Sequence, residues 1–205
     1  MQRTRIFEGN QERRNRAMQY QAMQTPKKSL WSFGTRAVVY AAIGAALYGV
    51  LSALTNVLAI PGAGNVSVRP AVAIVFLFGL AFGPLVGFIT GLLGNLIADL
   101  FFGQFWFWWS LGNGLMGLVA GLFMPMMTDY RRLRDLAFGE VAVILGAAVG
   151  MLLASLSEIW VSGADMTTVF VANFWPAFLS NIINGLILTP ILMIAYSAIV
   201  SRSGR

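Results

Sequence analysis

The segment Gly94–Gly121 reads GNLIADLFFGQFWFWWSLGNGLMGLVAG and joins two apolar runs through a short hinge. A carboxylate and several amides interrupt the runs beside three tryptophans. These residues are Asn95, Asp99, Gln104, Trp106, Trp108, Trp109 and Asn113. Polar groups at membrane depth are costly unless they are paired or functional, and tryptophans at a helix end are typical of the membrane interface. The segment therefore predicts one mouth of a membrane-embedded pocket.

The composition of the chain indicates a membrane protein. Hydrophobic residues make up 58% of the 205 residues and charged residues 11%, with a mean hydropathy of +0.73. Soluble domains have a very different balance. The sequence has no cysteine and no histidine, which excludes disulfides, thiolate chemistry and histidine-based catalysis or zinc binding. We expect no metal and no cofactor.

Residues 1–36 form a polar, basic tail. Its eight basic and two acidic side chains account for the whole net charge of +6. One interpretation is an arm that binds a membrane surface or a nucleic acid. We favour a cytoplasmic tail that follows the positive-inside rule, with no nucleic-acid partner.

Six transmembrane helices are predicted after the tail. The apolar stretch from Ala71 to Phe102 is too long for one crossing of ~30 Å and short for two. We divide it at Gly83-Pro84, because proline suits the first turn of a new helix. The predicted spans are 37–58, 67–82, 84–102, 105–127, 140–161 and 169–201, with a loop at Thr128–Gly139 and a C-terminal end at 202–205.

In this topology nearly all basic residues lie on the same side of the membrane. Thirteen of the 14 Lys and Arg residues fall on one side, in the tail, in the 128–139 loop and at the C-terminal end, and only Arg69 falls opposite. The positive-inside rule then predicts that both termini are cytoplasmic in a multi-pass protein of the plasma membrane.

The intramembrane polar residues gather in the outer half of the predicted bundle, and helical spacing lets them face one cavity. The predicted substrate-binding residues are Asn95, Asp99, Trp106, Trp109, Asn113, Glu158, Asn173, Asn181 and Asn184. Amides and indole rings suit a planar, hydrogen-bonding heterocycle, and carboxylates favour a cationic or NH-rich edge. The alternative is that the amides join helices and the tryptophans anchor the bundle.

The predicted outer loop Ala59–Arg69 is long enough to close over the pocket as a gate, with Gly62, Gly64, Asn65 and Arg69 as its gating residues. It is otherwise a simple linker. Arg69 is also a candidate structural partner for Asp99, Glu158 or Asp165.

The first span carries small residues at intervals of four, which let another helix approach closely. The residues are Ala37, Ala41, Ala45, Gly49 and Ala53. They serve either internal packing or docking of another membrane protein.

The chain resembles the substrate-specific (S) components of energy-coupling factor (ECF) transporters, and among them the riboflavin-type S-component family, over about residues 36–200. Three segments carry the resemblance: AAIGAAL (Ala41–Leu47), RPAVAIVFLFGLAFGPLVGFITGLLGNLIADL (Arg69–Leu100) and FWWSLGNGLMGLVAGLF (Phe107–Phe123). Members often have histidine at the third-helix position where this chain has Asn95, and a long basic tail is unusual. Both departures point to an altered ligand choice.

The resemblance implies a six-helix bundle that captures a vitamin-like molecule at its outer side. It also implies a transmembrane coupling subunit and two cytoplasmic ATPases as partners. The coupling subunit would contact the small residues of the first helix, here Ala41, Ala45 and Gly49. Transport would involve toppling of the S component in the membrane, with the first outer loop as gate.

Three functions are weighed. The first is an importer subunit that captures a riboflavin-like or thiamine-precursor-like heterocycle. It would not be an enzyme. Because no phosphate-binding G-x-x-x-x-G-K-[ST] loop occurs, ATP hydrolysis is expected in separate partner subunits. The second is a stand-alone proton-coupled carrier for a small polar or cationic metabolite, with Asp99 or Glu158 as the proton site. The third and least favoured is a membrane enzyme with these carboxyl groups as an acid and base pair.

Overall fold

A computed structural model describes residues 30–31, 34–55 and 69–203 of the chain. The chain divides into two units, Met1–Ser32 and Phe33–Arg205, and every helix described here belongs to the second unit. The predicted gating residues Gly62, Gly64 and Asn65 lie outside the described residues, as does most of the predicted tail.

The described part of the second unit contains six α-helices and no strands. They are Thr35–Thr55 (α1), Val72–Phe82 (α2), Pro84–Phe101 (α3), Phe107–Leu122 (α4), Leu133–Val161 (α5) and Trp175–Ser203 (α6). A short 3₁₀ helix at Met124–Met126 follows α4, and a π-helical segment at Thr168–Phe174 leads into α6. Five described spans are long and apolar enough to cross a membrane, and α2 is shorter. The predicted all-helical membrane bundle is confirmed.

The short helix α2 lies at the centre of the bundle. Its 11 residues extend about 16 Å at 1.5 Å per residue, which is less than a hydrocarbon core of about 30 Å. It packs against all five other helices and buries Val72, Val75, Phe76 and Leu80. Residue 67, where the span was predicted to begin, lies outside the described residues, and the helix itself begins at Val72.

The chain turns sharply between α2 and α3. Gly83 has a φ of 101°, which side chains of L-residues rarely adopt. Pro84 takes the first position of α3, where a missing backbone N–H costs no helical hydrogen bond. The turn brings Arg69, before α2, to the same end of the bundle as Asp99, near the end of α3.

The structure corrects the loop predicted at Thr128–Gly139, because α5 already begins at Leu133. Asp135 in the first turn of α5 is buried, and its Oδ2 accepts hydrogen bonds from the backbone N–H groups of Thr128 and Asp129, each at 2.6 Å. A carboxylate is favourable at a helix N-terminus, and here it also closes the preceding loop.

The small residues of α1 face the bundle. Ala41 and Ala45 are 1% and 3% exposed, Gly49 is buried, and α1 packs against α3. A side chain at Gly49 would strike Ile97 of α3. Ala41, Ala45 and Gly49 therefore provide internal packing in this structure, and their contact with a coupling subunit stays a prediction.

Glycines set the closest contacts among α3, α4 and α5. A Cβ at Gly87 would strike the backbone of Gly117, and a Cβ at Gly117 would strike the backbone of Gly87. Gly112 of α4 and Gly150 of α5 face each other in the same way. Such close approach of helix backbones is typical of small residues at membrane helix interfaces, and it brings the polar ends of these helices together.

Candidate functional site

A cavity of about 340 Å³ lies where the ends of α3 and α5 meet the starts of α4 and of the π-helical segment before α6. Small-molecule sites span roughly 300–1,000 Å³. The lining residues are Arg69, Asn95, Asp99, Gln104, Trp106, Trp109, Glu158, Ser162, Ala164, Thr168, Ala172, Asn173 and Ala177. Six of the nine residues predicted to bind substrate are therefore brought together here: Asn95, Asp99, Trp106, Trp109, Glu158 and Asn173.

Asp99 is held by a hydrogen-bond network between α3 and α4. Asn95 Nδ2 donates to Asp99 Oδ2 at 3.2 Å and to Ser110 Oγ at 3.0 Å. Ser110 Oγ donates to the same Oδ2 at 3.3 Å, and the Trp106 backbone N–H lies 3.4 Å from it. Because every donor reaches Oδ2, Oδ1 has no hydrogen-bond partner in the described part of the chain.

Glu158 joins α4 to α5 at the wall of the cavity. Trp109 Nε1 donates to Glu158 Oε1 at 2.8 Å, and Ser162 Oγ donates to Oε2 at 2.8 Å. The indole ring of Trp109 is thereby fixed against the cavity, and a carboxylate charge is held next to it. Hydrogen bonds to an ionised group are stronger than those between neutral groups.

The cavity contains more acid than base. Asp99 and Glu158 line it, and Arg69 is the only basic residue among the described lining residues. No ion pair links Arg69 to a carboxylate within the described ranges. Asp165, the third predicted partner of Arg69, instead accepts a hydrogen bond from the Thr168 backbone N–H at 2.8 Å. Hydrogen bonds from the Thr168 side chain and backbone hold the pKa of Asp165 below its usual range.

Three predicted binding residues do not line the cavity. Asn113 is fully buried, accepts a hydrogen bond from Tyr48 Oη at 2.7 Å and donates to the Trp109 carbonyl at 2.8 Å. Asn181 and Asn184 each donate to the carbonyl oxygen four residues earlier, at 2.8 and 2.7 Å. Their positions lie deeper along α4 and α6 than the cavity, so helical phase placed them on the correct face but at the wrong depth.

The family model of the S component of ECF-type riboflavin transporters matches residues 32–198. The chain belongs to this family. An S component is the substrate-binding membrane subunit of an ECF transporter and associates with the other transporter subunits. S components are generally not enzymes.

Relatives of this S component carry the name UPF0397 protein. The one from Vibrio atlanticus is 40% identical over 126 residues, which cover 58% of this chain and 68% of the relative. The one from Aliivibrio salmonicida is 41% identical over 101 residues, which cover 49% of this chain and about half of the relative, 54%. The one from Streptococcus gordonii is 31% identical over 181 residues, which cover 84% of this chain and 94% of the relative.

The sequence interpretation missed several polar residues of this S component. Gln104, Ser162 and Thr168 line the cavity, and Ser110 lies beneath it in the Asp99 network. Gln104 had a signal, since it interrupts the apolar hinge between α3 and α4. Ser110 follows Trp106 by four residues and so shares its helix face, whereas serine and threonine in the loop after α5 offer no comparable pattern.

Proposed function

We propose that this S component captures a small nitrogen-rich heterocycle of the vitamin or vitamin-precursor type at the outer face of the plasma membrane for ATP-driven uptake. The observation that carries the proposal is the cavity in which amides, carboxylates and indole rings converge. Riboflavin-like and thiamine-precursor-like molecules both fit this chemistry, because each combines a flat ring with several hydrogen-bonding edges.

The lining groups divide into stacking and hydrogen-bonding roles. Trp106 and Trp109 provide flat apolar area for a ring system. Asp99 Oδ1 accepts no hydrogen bond from the described residues, and the amides of Gln104 and Asn173 offer both donors and acceptors. Two carboxylates against one guanidinium favour a ligand with a cationic or NH-rich edge, since an anionic ligand would meet net repulsion.

The distribution of basic residues supports an outward-facing cavity. Arg69 is at the cavity end of the bundle, whereas Arg131, Arg132 and Arg134 lie in and next to the loop at the opposite end. By the positive-inside rule the arginine-rich loop and both termini are cytoplasmic. The ligand then enters from the outside.

Energy for uptake would come from partners. The sequence has no phosphate-binding loop of its own, and we propose that it works with a transmembrane coupling subunit and two cytoplasmic ATPases. The exposed side of α1, which includes Ala42 and Ala46, is the surface we assign to the coupling subunit.

Native mass spectrometry of the gently purified protein tests the capture function. We expect a stoichiometric bound heterocycle that can be extracted and identified. Asp99→Asn should lose it, because the cavity then lacks its free carboxylate acceptor. Asp129→Asn is the matched control, since Asp129 lies in the loop outside the cavity, and it should retain the ligand.

Two outcomes would contradict the proposal. One is a protein that is empty after growth in several media and shows no thermal shift with a panel of vitamins. The other is a ligand that both variants retain equally. Uptake into proteoliposomes driven by a pH gradient without ATP would instead support the stand-alone carrier.

A further inference from the structure

A second recess lies next to the cavity. Its volume is about 540 Å³, and the aromatic run 105–109 forms most of its lining together with Glu158 and Ser162. Trp106, Trp109, Glu158 and Ser162 line both spaces. The hydrogen bond between Trp109 and Glu158 therefore lies between the cavity and the recess.

The recess combines aromatic rings with one negative charge. Trp108 packs edge to face against Phe107, with ring centres 5.7 Å apart, and against Trp160 of α5 at 5.5 Å. No basic residue belongs to the described lining, so Glu158 is its only charged group. Aromatic faces attract cations, and cages of aromatic rings recognise alkylated ammonium groups. A nearby carboxylate adds charge attraction.

We propose that this recess is a second binding site, which takes an organic ammonium cation between the indole rings and Glu158. An anchoring belt of tryptophans presents its rings to lipid and requires no charged group among them. Here a carboxylate lines the recess together with the rings, and hydrogen bonds from Trp109 and Ser162 hold its two oxygens. The recognised chemistry is an N-alkylated ammonium, and it can come from a soluble cation or from a lipid headgroup.

Equilibrium dialysis of radiolabelled choline against the purified protein in maltoside micelles tests the site. The uncharged isostere 3,3-dimethylbutan-1-ol is the matched competitor. We expect tetramethylammonium to displace choline and the neutral alcohol not to do so at the same concentration. Trp108→Leu and Glu158→Gln should each lower choline affinity about tenfold, and Trp108→Phe should lower it less because an aromatic ring remains.

The variant Asp99→Asn separates the two spaces, because Asp99 lines only the first cavity. It should retain choline binding. Three results would overturn the proposal: no choline binding, equal displacement by the neutral alcohol, or loss of binding in Asp99→Asn with retention in Trp108→Leu. The comparison of tetramethylammonium with the neutral alcohol needs no substitution. It therefore tests the cation site even where a variant does not fold.

Nanodiscs distinguish the two sources of the cation. Choline binding in phosphatidylglycerol discs but not in phosphatidylcholine discs would identify a lipid headgroup as the occupant. Equal binding in both would identify a soluble cation. Each result supports the site, whereas absence of binding in both kinds of disc would overturn it.

Discussion

Asn113 and Asp99 lie on adjacent helices, yet their polar groups have different uses. Asn113 is satisfied within the bundle, since Tyr48 of α1 donates to its carbonyl oxygen at 2.7 Å. Asp99 lines a cavity, and one of its oxygens has no partner among the residues that the structure describes. An intramembrane amide can therefore join helices, whereas a carboxylate with a free oxygen next to open space is available to a ligand.

Tyr48→Phe should destabilise the protein without changing the cavity. It removes the donor to Asn113 and leaves a buried carbonyl oxygen unpaired, which costs about 1 kcal/mol of unfolding free energy in a membrane bundle. Equilibrium unfolding in mixed micelles measures this change. Tyr40→Phe is the matched control, because Tyr40 is 39% exposed and has no described hydrogen bond.

The double variant Tyr48→Phe/Asn113→Leu gives the sharper result. It removes both polar partners and should recover much of the lost stability, because no unpaired group remains. If the double variant were no more stable than Tyr48→Phe, the hydrogen bond between the two side chains would not be the cause.

Helix packing around α3 and α4 depends on contact between backbones. Gly87 and Gly117 approach so closely that neither has room for a Cβ, and Gly121 meets Pro84 in the same way. These contacts fix the spacing of the two helices whose ends carry Asp99 and Trp106. The relative positions of Asp99 and Trp106 at the cavity therefore depend on glycines that lie some distance from it.

Gly117→Ala should cost about 1–3 kcal/mol of unfolding free energy, because the added methyl group forces the backbones of α3 and α4 apart. Thermal unfolding followed by circular dichroism measures the loss. Gly34→Ala is the control, since a Cβ at Gly34 meets nothing within 4 Å, and it should unfold like the parent. Equal unfolding temperatures for Gly117→Ala and Gly34→Ala would show that the helices can move apart without cost.

On the scale of the whole molecule, α1 has two different faces. Its small residues Ala41 and Ala45 are buried against the bundle, while Ala42 and Ala46 are exposed beside Ile43 and other large apolar side chains. The exposed side is apolar and lies along the edge of the bundle. It is the side on which a partner helix or lipid can be accommodated.

Ala46→Trp should weaken association with the coupling subunit and leave the fold intact, because its added bulk lies outside the bundle. Co-purification from membranes, quantified by mass spectrometry, measures the association. Ala195→Trp on the exposed side of α6 is the matched control for added bulk, and it should retain the partner. Ala45→Trp should instead unfold the protein, since Ala45 is buried.

Retention of the partner by Ala46→Trp would contradict the assignment of this face. A folded Ala45→Trp that loses the partner would show that the buried face of α1 is the one that the coupling subunit contacts.

The class of the protein and most of the residues that line the cavity could be predicted from local sequence. Hydropathy and composition sufficed for an all-helical membrane bundle, because apolar runs long enough to cross a bilayer as helices satisfy their backbone hydrogen bonds within each helix. The spacing of Asn95, Asp99, Trp106 and Trp109 placed these residues on faces that meet in one cavity, since helical periodicity fixes direction around an axis.

The depth of each polar residue along its helix and the identity of its hydrogen-bond partner depend on tertiary packing. Periodicity does not say which face of α1 is buried, because small residues occur on two of its sides and the choice depends on how α3 packs against it. Likewise, Asn113 faces inward as predicted, but the hydroxyl of Tyr48, 65 positions earlier in the chain, takes its carbonyl oxygen. These outcomes depend on contacts between residues far apart in the sequence, and the spacing of residues within one helix does not predict such contacts.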